Sequence, residues 1–474
     1  MVFSSLEFIC VFLPVVFLIY CILPGIRLKN ALLIVASLLF YTYGEPRYVL
    51  LMIFSAAFNY VSARVMMALH QKKWVLFANV VVNLGLLAFF KYTAFFIDTW
   101  NQIFGTQLKV WEIELPIGIS FFTFQALSYV VDVYRRTVPV QKSFWKVLLY
   151  ISFFPQLIAG PIVKYQDINQ ALADRKMDVN QISDGMRRFI CGMGKKVLIA
   201  NTMGQAADAV FQTDYGNINI LVAWIGAISY MLQIYYDFSG YSDMAIGLGK
   251  LFGFSFRENF QYPYGAASIK EFWRRWHISL STWFKEYLYI PLGGNRNGKL
   301  RTGINKSIVF FCTGLWHGAN WTFVLWGLYH GFFSVLEECI PFIKKIPKPI
   351  MYLYTMLVVC TGFVVFRADT ISQGLYIIQQ MFTGTSFGNH AMSFATGQLT
   401  PWFLTMLLVG IIGMAPVRPV IDRIRGIVYG EKMQITGSYR AVQIFLYTTS
   451  VVVLLWCMIR LSGNTYNPFI YFRF

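Results

Sequence analysis

The chain has 474 residues, of which 57% are hydrophobic and only 13% charged, too few charges to cover a water-soluble surface. Its formal net charge of +18 would suit nucleic acid if the cations lined one soluble face, but they fall between long apolar runs. Lys and Arg collect on the cytoplasmic side of membrane proteins, so topology accounts for the charge and nucleic acid is set aside as a partner.

About 20 apolar residues cross the hydrocarbon of a bilayer. That length predicts spans near 6–24, 30–44, 48–68, 74–97, 114–132, 197–212, 218–237, 303–317, 320–338, 350–367, 401–417 and 441–461. No polar linker separates them, which predicts one all-α polytopic membrane domain over residues 1–474. The first basic residue, Arg27, follows the first apolar run, as in an uncleaved span with its N-terminus outside. Arg27 and Lys29 then fall inside, the turn at Gly44–Pro46 outside, and His70–Lys73 inside. Seven cysteines without a CxxC pair read as small buried hydrophobes.

The stretch Phe144–Val163 breaks this count, because a full crossing would strand Lys164, Arg175, Lys176, Arg187, Arg188, Lys195 and Lys196 outside. Pro155, Gly160 and Pro161 interrupt a helix, so a re-entrant or broken segment is expected. Asp237 and Asp243 are acids at a membrane border, where they either neutralise arginines or orient histidines. The glycines of Gly247–Gly253 lack the strand-to-helix context of a nucleotide loop and fit helix packing.

Ser268–Arg301 is too charged to span. At 100° per residue Trp273, Trp276, Leu280, Trp283 and Tyr287 share one face, and Lys270, Arg274, Ser281 and Lys285 another. This predicts an amphipathic helix at the cytoplasmic boundary, with His277 at the seam. A helix from Lys306 would carry His317 about 16 Å deeper, near the middle of a core about 30 Å thick. Gly314 and Gly318 flank His317 and are expected to leave room for a ligand. His330 is expected to pack, and His70 and His390 to lie in loops without chemistry. Asn320-Trp321-Thr322 matches a glycosylation triplet but falls within an apolar span. Nothing has the spacing of a metal site.

Several of these segments together resemble membrane-bound O-acyltransferases along nearly the whole chain. They are Met1-VFSS, Phe153-FPQLIAGPI, Tyr236-DFSGYSDMAIGLGKLFGF, Glu271-FWRRWHISLSTWFKEYLYIPLGGNR, Gly314-LWHGANWTFVLWGLYHG and Asn467-PFIYFRF. The likeness is greatest to the bacterial branch that acetylates alginate and other surface polysaccharides. The branch of teichoic-acid D-alanylation shares the WRRWH-like and WHG segments but lacks the element at Leu292–Arg296. The resemblance implies about 11–12 transmembrane helices, with re-entrant and interfacial helices around a central passage. It also implies that His317 is the catalytic histidine and that His277 occupies the second motif position, as base, orienter or oxyanion donor.

Acyl transfer to a hydroxyl needs a base and a group to hold the oxyanion, so His317 is expected to take the hydroxyl proton, with an acyl-histidine as the alternative. No permanently bound cofactor is expected. The resemblance implies acetyl-CoA as donor, whose phosphates would meet Arg274, Arg275, Lys285 and Arg296, with Lys299 and Arg301 nearby. It also implies a bacterial cytoplasmic membrane, membrane lipid around the chain, and a periplasmic or extracellular SGNH-type esterase-like partner that passes acetyl to a polysaccharide acceptor. Residues alone leave a transporter or flippase open, since broken helices and buried acids fit one too.

Overall fold

A computed structural model describes residues 1–69, 72–158, 160–416, 437–463 and 466–470. Every regular element among them is a helix. The chain runs through a π-turn at Phe8–Phe12 into α1 (Leu13–Ile22), then α2 (Gly25–Gly44), α3 (Val49–Ala68), α4 (Lys72–Phe104) and α5 (Ile119–Tyr134). Short α6 (Phe144–Ser152), α7 (Phe154–Leu157) and α8 (Tyr165–Ala173) follow, then α9 (Val179–Gly194), a π-segment Lys195–Ala200, α10 (Asn201–Gln212) and α11 (Ile220–Leu251). After a loop come α12 (Ile269–Arg275), α13 (Ile278–Phe284) with a π-turn Lys285–Tyr289, α14 (Gly298–His317), α15 (Trp321–Cys339) and α16 (Lys348–Arg367). The remainder is α17 (Ile371–Thr383), α18 (Asn389–Gln398), α19 (Pro401–Met414) and α20 (Gly437–Gly463).

This is an all-α polytopic membrane protein. Six described helices, α2, α3, α4, α11, α16 and α20, are long and apolar enough to cross a bilayer, and α18 with α19, bent by 65°, makes a seventh if counted as one span. The other segments expected to cross are helical too. They are shorter or carry more charge, as in α14 with Lys299, Arg301 and Lys306. Residue 417, the last of one expected span, lies outside the described residues, as does His70 with its loop. His390 sits in α18 rather than in a loop.

Apolar composition and side-chain caps explain where helices start. Asn219 Oδ1 accepts from the Val222 N–H at 3.1 Å, and Asn320 Oδ1 from the Thr322 N–H at 3.0 Å, so the glycosylation-like triplet is a helix cap. α20 turns most of its apolar surface outward, whereas α11 is 72% buried and forms the centre. Against it α9 packs through glycines: a Cβ on Gly185 would meet Gly247 O at 2.7 Å, and one on Gly192 would meet Gly240 O at 2.5 Å. Small residues thus let two backbones touch, the packing role expected of Gly247.

The segment after α6 is broken as its prolines require, and its irregular backbone is buried and hydrogen-bonded. Ser37 Oγ accepts from the Phe154 N–H at 3.1 Å, Ser279 Oγ from the Ile162 N–H at 3.0 Å, and Val163 O from the Tyr150 hydroxyl at 2.9 Å. Internal partners of this kind are what irregular backbone at membrane depth demands.

Asp243 pairs with Arg188 at 2.7 Å and Lys195 at 2.6 Å, and Asp237 with Lys196 at 2.6 Å, so both acids neutralise cations. Asp237 Oδ2 also accepts from the Ile470 N–H at 2.9 Å, and Pro468 O accepts from Lys196 Nζ. Beside them Asn467 Nδ2 donates to Ser4 O at 3.0 Å, clasping the two chain extremities together.

The expected single amphipathic helix over Ser268–Arg301 is two short helices, a π-turn and the start of α14. Backbone φ reaches +43° at His277, a left-handed value that no continuous helix accommodates. The facial pattern survives the break, with Trp276, Leu280 and Trp283 buried and Lys270, Arg274 and Lys285 exposed.

Candidate active site

His317 is the last residue of α14, whose final carbonyls have no partner within the helix. α4 supplies them. Tyr92 donates its hydroxyl to Leu315 O at 2.6 Å, and Lys91 Nζ donates to Trp316 O at 2.5 Å and His317 O at 3.2 Å. A cation at a helix C-terminus also complements the helix dipole. The imidazole is walled by Trp316 at 5.0 Å, Trp326 at 5.1 Å and Phe366 at 5.2 Å between ring centroids. It is 7% exposed and lines a chamber of about 210 Å³ with Lys91, Pro116, Phe121 and Trp316. A second chamber of about 290 Å³ shares Lys91 and Leu115 with the first and reaches Asn320, Arg367 and Asp369.

The glycines beside His317 do not provide clearance. A Cβ on Gly314 would stand 2.4 Å from Phe323 O, and one on Gly318 2.2 Å from the Phe323 ring. They are glycine because α14 and α15 touch there, as a Cβ on Gly327 of α15 would touch Phe310 O at 2.3 Å.

His277 stands at the α12–α13 break and is 1% exposed. Its ring meets Phe238 edge-on at 4.5 Å and Trp316 at 6.0 Å, so one indole contacts both histidines. The loop residue Asn259 holds it. Asn259 Oδ1 accepts from Ser279 N at 3.1 Å and Ser279 Oγ at 2.9 Å and lies 3.3 Å from His277 Nδ1. His277 Nε2 has no hydrogen-bond partner among the described residues.

Ser268 and Glu271 explain where α12 begins and where Arg275 goes. Ser268 Oγ accepts from Glu271 N at 3.0 Å, while Glu271 reaches back to Ala267 N at 2.8 Å, a variant of the capping box. Glu271 Oε1 also takes Arg275 Nη2 at 2.5 Å. Arg275 is thereby held beside Glu271, away from the other three expected cations. Arg274, Lys285 and Arg296 line one chamber of about 1180 Å³ with Lys270, Lys299 and Lys306, and Arg301 is not among its lining. Glu338 pairs with Lys306 at 2.5 Å and Lys270 at 3.4 Å, leaving Arg274, Lys285 and Arg296 without an ion pair among the described residues.

From Trp273, the neighbour of Arg274 in sequence, a file of rings leads to His317. Trp273 contacts His330 at 5.2 Å, His330 contacts Trp326 at 5.2 Å, and Trp326 contacts His317 at 5.1 Å. His330 is packed and 0% exposed, yet neither of its nitrogens, nor Nε1 of Trp273 or Trp326, has a hydrogen-bond partner among the described residues. Buried polar atoms without partners are costly, so these rings carry an unmet hydrogen-bonding capacity in an otherwise packed file.

Lys91 and Asn259 escaped the sequence reading for different reasons. Lys91 interrupts the apolar run Leu84–Phe96, and a charge inside a span is itself a signal of function. Asn259 lies in a loop 18 residues before His277, with no periodicity to connect the two.

Fold and site together define a polytopic membrane protein with two buried histidines, one of them lining a narrow chamber, and a separate basic chamber. Residues 123–358 match MBOAT, the membrane-bound O-acyltransferase family. The chain is 37% identical to the Probable alginate O-acetylase AlgI of Azotobacter vinelandii over 100% of both chains. It is 37% identical to the Peptidoglycan O-acetyltransferase of Helicobacter pylori over 80% of each. Similarity to the Teichoic acid D-alanyltransferase of Bacillus subtilis is lower, 27% over 58% of this chain and 70% of the other. The chain belongs to the membrane-bound O-acyltransferase family, and it is an enzyme, an O-acyltransferase.

Proposed function

We propose that this protein moves an acetyl group from cytoplasmic acetyl-CoA through the bacterial cytoplasmic membrane for O-acetylation of an exported polysaccharide. One observation carries the reading. The basic chamber lies at the start of α14 and His317 at its end, 19 residues and about 28 Å of helix apart. A donor whose phosphates stay among Arg274, Lys285 and Arg296 would send its thioester along the file of Trp273, His330 and Trp326. The acceptor hydroxyl would reach His317 from the narrower chambers. Acetyl rather than D-alanyl transfer is favoured because the relatives similar over most of the chain are named for O-acetylation. An esterase-like partner with a nucleophilic serine would receive the acetyl outside and pass it to the polymer.

In this mechanism His317 takes the hydroxyl proton as the oxygen attacks the thioester carbonyl. The carbonyl π pair moves onto oxygen. Collapse of the tetrahedral intermediate restores the carbonyl and expels the thiolate of coenzyme A, which takes the proton back from His317.

Replacing Arg274, Lys285 and Arg296 together by alanine tests the donor side. A lost charge-assisted contact is worth about 1.5 kcal/mol or more, so even one of the three engaging the donor predicts a rise of at least about tenfold in KM for acetyl-CoA with kcat changed little. Initial rates of the purified protein, measured with a hydroxyl acceptor, would show it. An unchanged KM would place the donor elsewhere.

A further inference from the structure

The proposed mechanism leaves the oxyanion without a donor, and the hydrogen bonds around His277 bear on which group that is. Asn259 Oδ1 receives both the N–H and the hydroxyl of Ser279, so it faces His277 as an acceptor. Ser279 Oγ, 3.4 Å from His277 Nδ1, has given its proton to Asn259 and itself accepts from the Ile162 N–H. Both neighbours of Nδ1 being acceptors, Nδ1 carries the hydrogen and Nε2 presents a lone pair. Neutral His277 in this tautomer offers the site no N–H. No charged side chain is in hydrogen-bond contact with it among the described residues; Phe238, Phe260 and Trp316 pack on its ring. The titratable group facing it is His317.

Lys91 supplies what His277 lacks. An ammonium has three N–H donors. Two of Lys91's are given to Trp316 O and His317 O, and no described residue takes the third. The side chain is 9% exposed, has no carboxylate partner among the described residues, and lines both the His317 chamber and the one beyond it. Two neutral carbonyls are poor compensation for a cation at this depth, and neither requires a charge. The carbonyl contacts fix Nζ to the residue whose imidazole acts as base, as an oxyanion donor must be fixed before charge develops.

We infer that Lys91 is a catalytic residue whose third N–H holds the oxyanion of the tetrahedral intermediate, while Asn259 keeps His277 from that role. This rests on the acyl-transfer reading of His317. When the carbonyl π pair moves onto oxygen, the negative charge forms against Lys91. When the carbonyl reforms, Lys91 is unchanged and the thiolate departs.

Lys91→Met keeps most of the unbranched side chain, one atom shorter, and removes the charge. Expected is a fall in kcat of at least about 100-fold, the scale of losing one oxyanion donor, with KM for acetyl-CoA within about threefold. A lysine that merely caps α14 would instead lower thermal stability and leave kcat per folded molecule unchanged, and that result overturns the inference. Should the methionine variant not fold, Lys91→Cys treated in membranes with 2-bromoethylamine regains an ammonium, whereas iodoacetamide gives a neutral amide. Recovery with the first reagent alone supports the role, and equal behaviour with both overturns it. His317→Gln measured in parallel separates the two ideas. If it retains transfer, the base assignment fails; if it is inactive while Lys91→Met is active, only the Lys91 inference fails.

Discussion

His317→Gln is expected to lower acyl transfer by at least about 100-fold, the lower end of what a positioned general base contributes. Glutamine is the informative replacement because it fills much of the imidazole's volume among Trp316, Trp326 and Phe366 without offering a base. His317→Ala should be as inactive, but it also leaves a cavity between three rings, at a cost of several kcal/mol for a buried aromatic-sized side chain. Transfer from acetyl-CoA by purified protein, normalised to the folded fraction from size exclusion, is the measurement. Retained transfer in the glutamine variant would remove His317 from the chemistry and return attention to His277, whose unpartnered Nε2 presents a lone pair.

The second large effect concerns Gly314. Gly314→Ala should cost at least about 3 kcal/mol, the top of the usual range for overpacking, because the added Cβ meets backbone. Phe323 O would stand 2.4 Å from it and Phe323 C 3.1 Å, and a carbonyl in α15 cannot rotate aside as a side chain would. Native stabilities are only about 5–15 kcal/mol, so a lower unfolding temperature and a smaller monodisperse fraction in detergent are expected. A variant of full stability but blocked transfer would mean that the glycine provides ligand clearance instead.

That prediction shows where sequence reasoning stopped. Glycines next to a buried histidine look alike whether they admit a ligand or a neighbouring helix, and only the position of α15 decides between them. The 3.6-residue period located the faces around His277 but assumed that the helix continues. Its break depends on a single left-handed residue, for which histidine gives little signal. Arg275 was more legible than it seemed, since Glu271 four residues earlier is the standard helical partner for it. Lys91 was visible as a charge within an apolar run, but counting the run as a span hid it. The broken segment after Phe144 was predictable because proline removes a donor whatever its neighbours are. So was the meeting of Arg274, Lys285 and Arg296, which lie within 23 residues of one another in the chain.

The bonds joining Ser4 and Asn467 cross 463 positions of chain. At roughly 5–20 residues per second, synthesis separates the two by roughly half a minute to a minute and a half. During that interval the first helices are already in the bilayer, and Lys196 and Asp237 have each other but not Pro468 and Ile470. Biogenesis therefore has a late, polar closing step made inside an apolar bundle, and a fusion placed just after Ile470 would be felt at α11 rather than at the periphery.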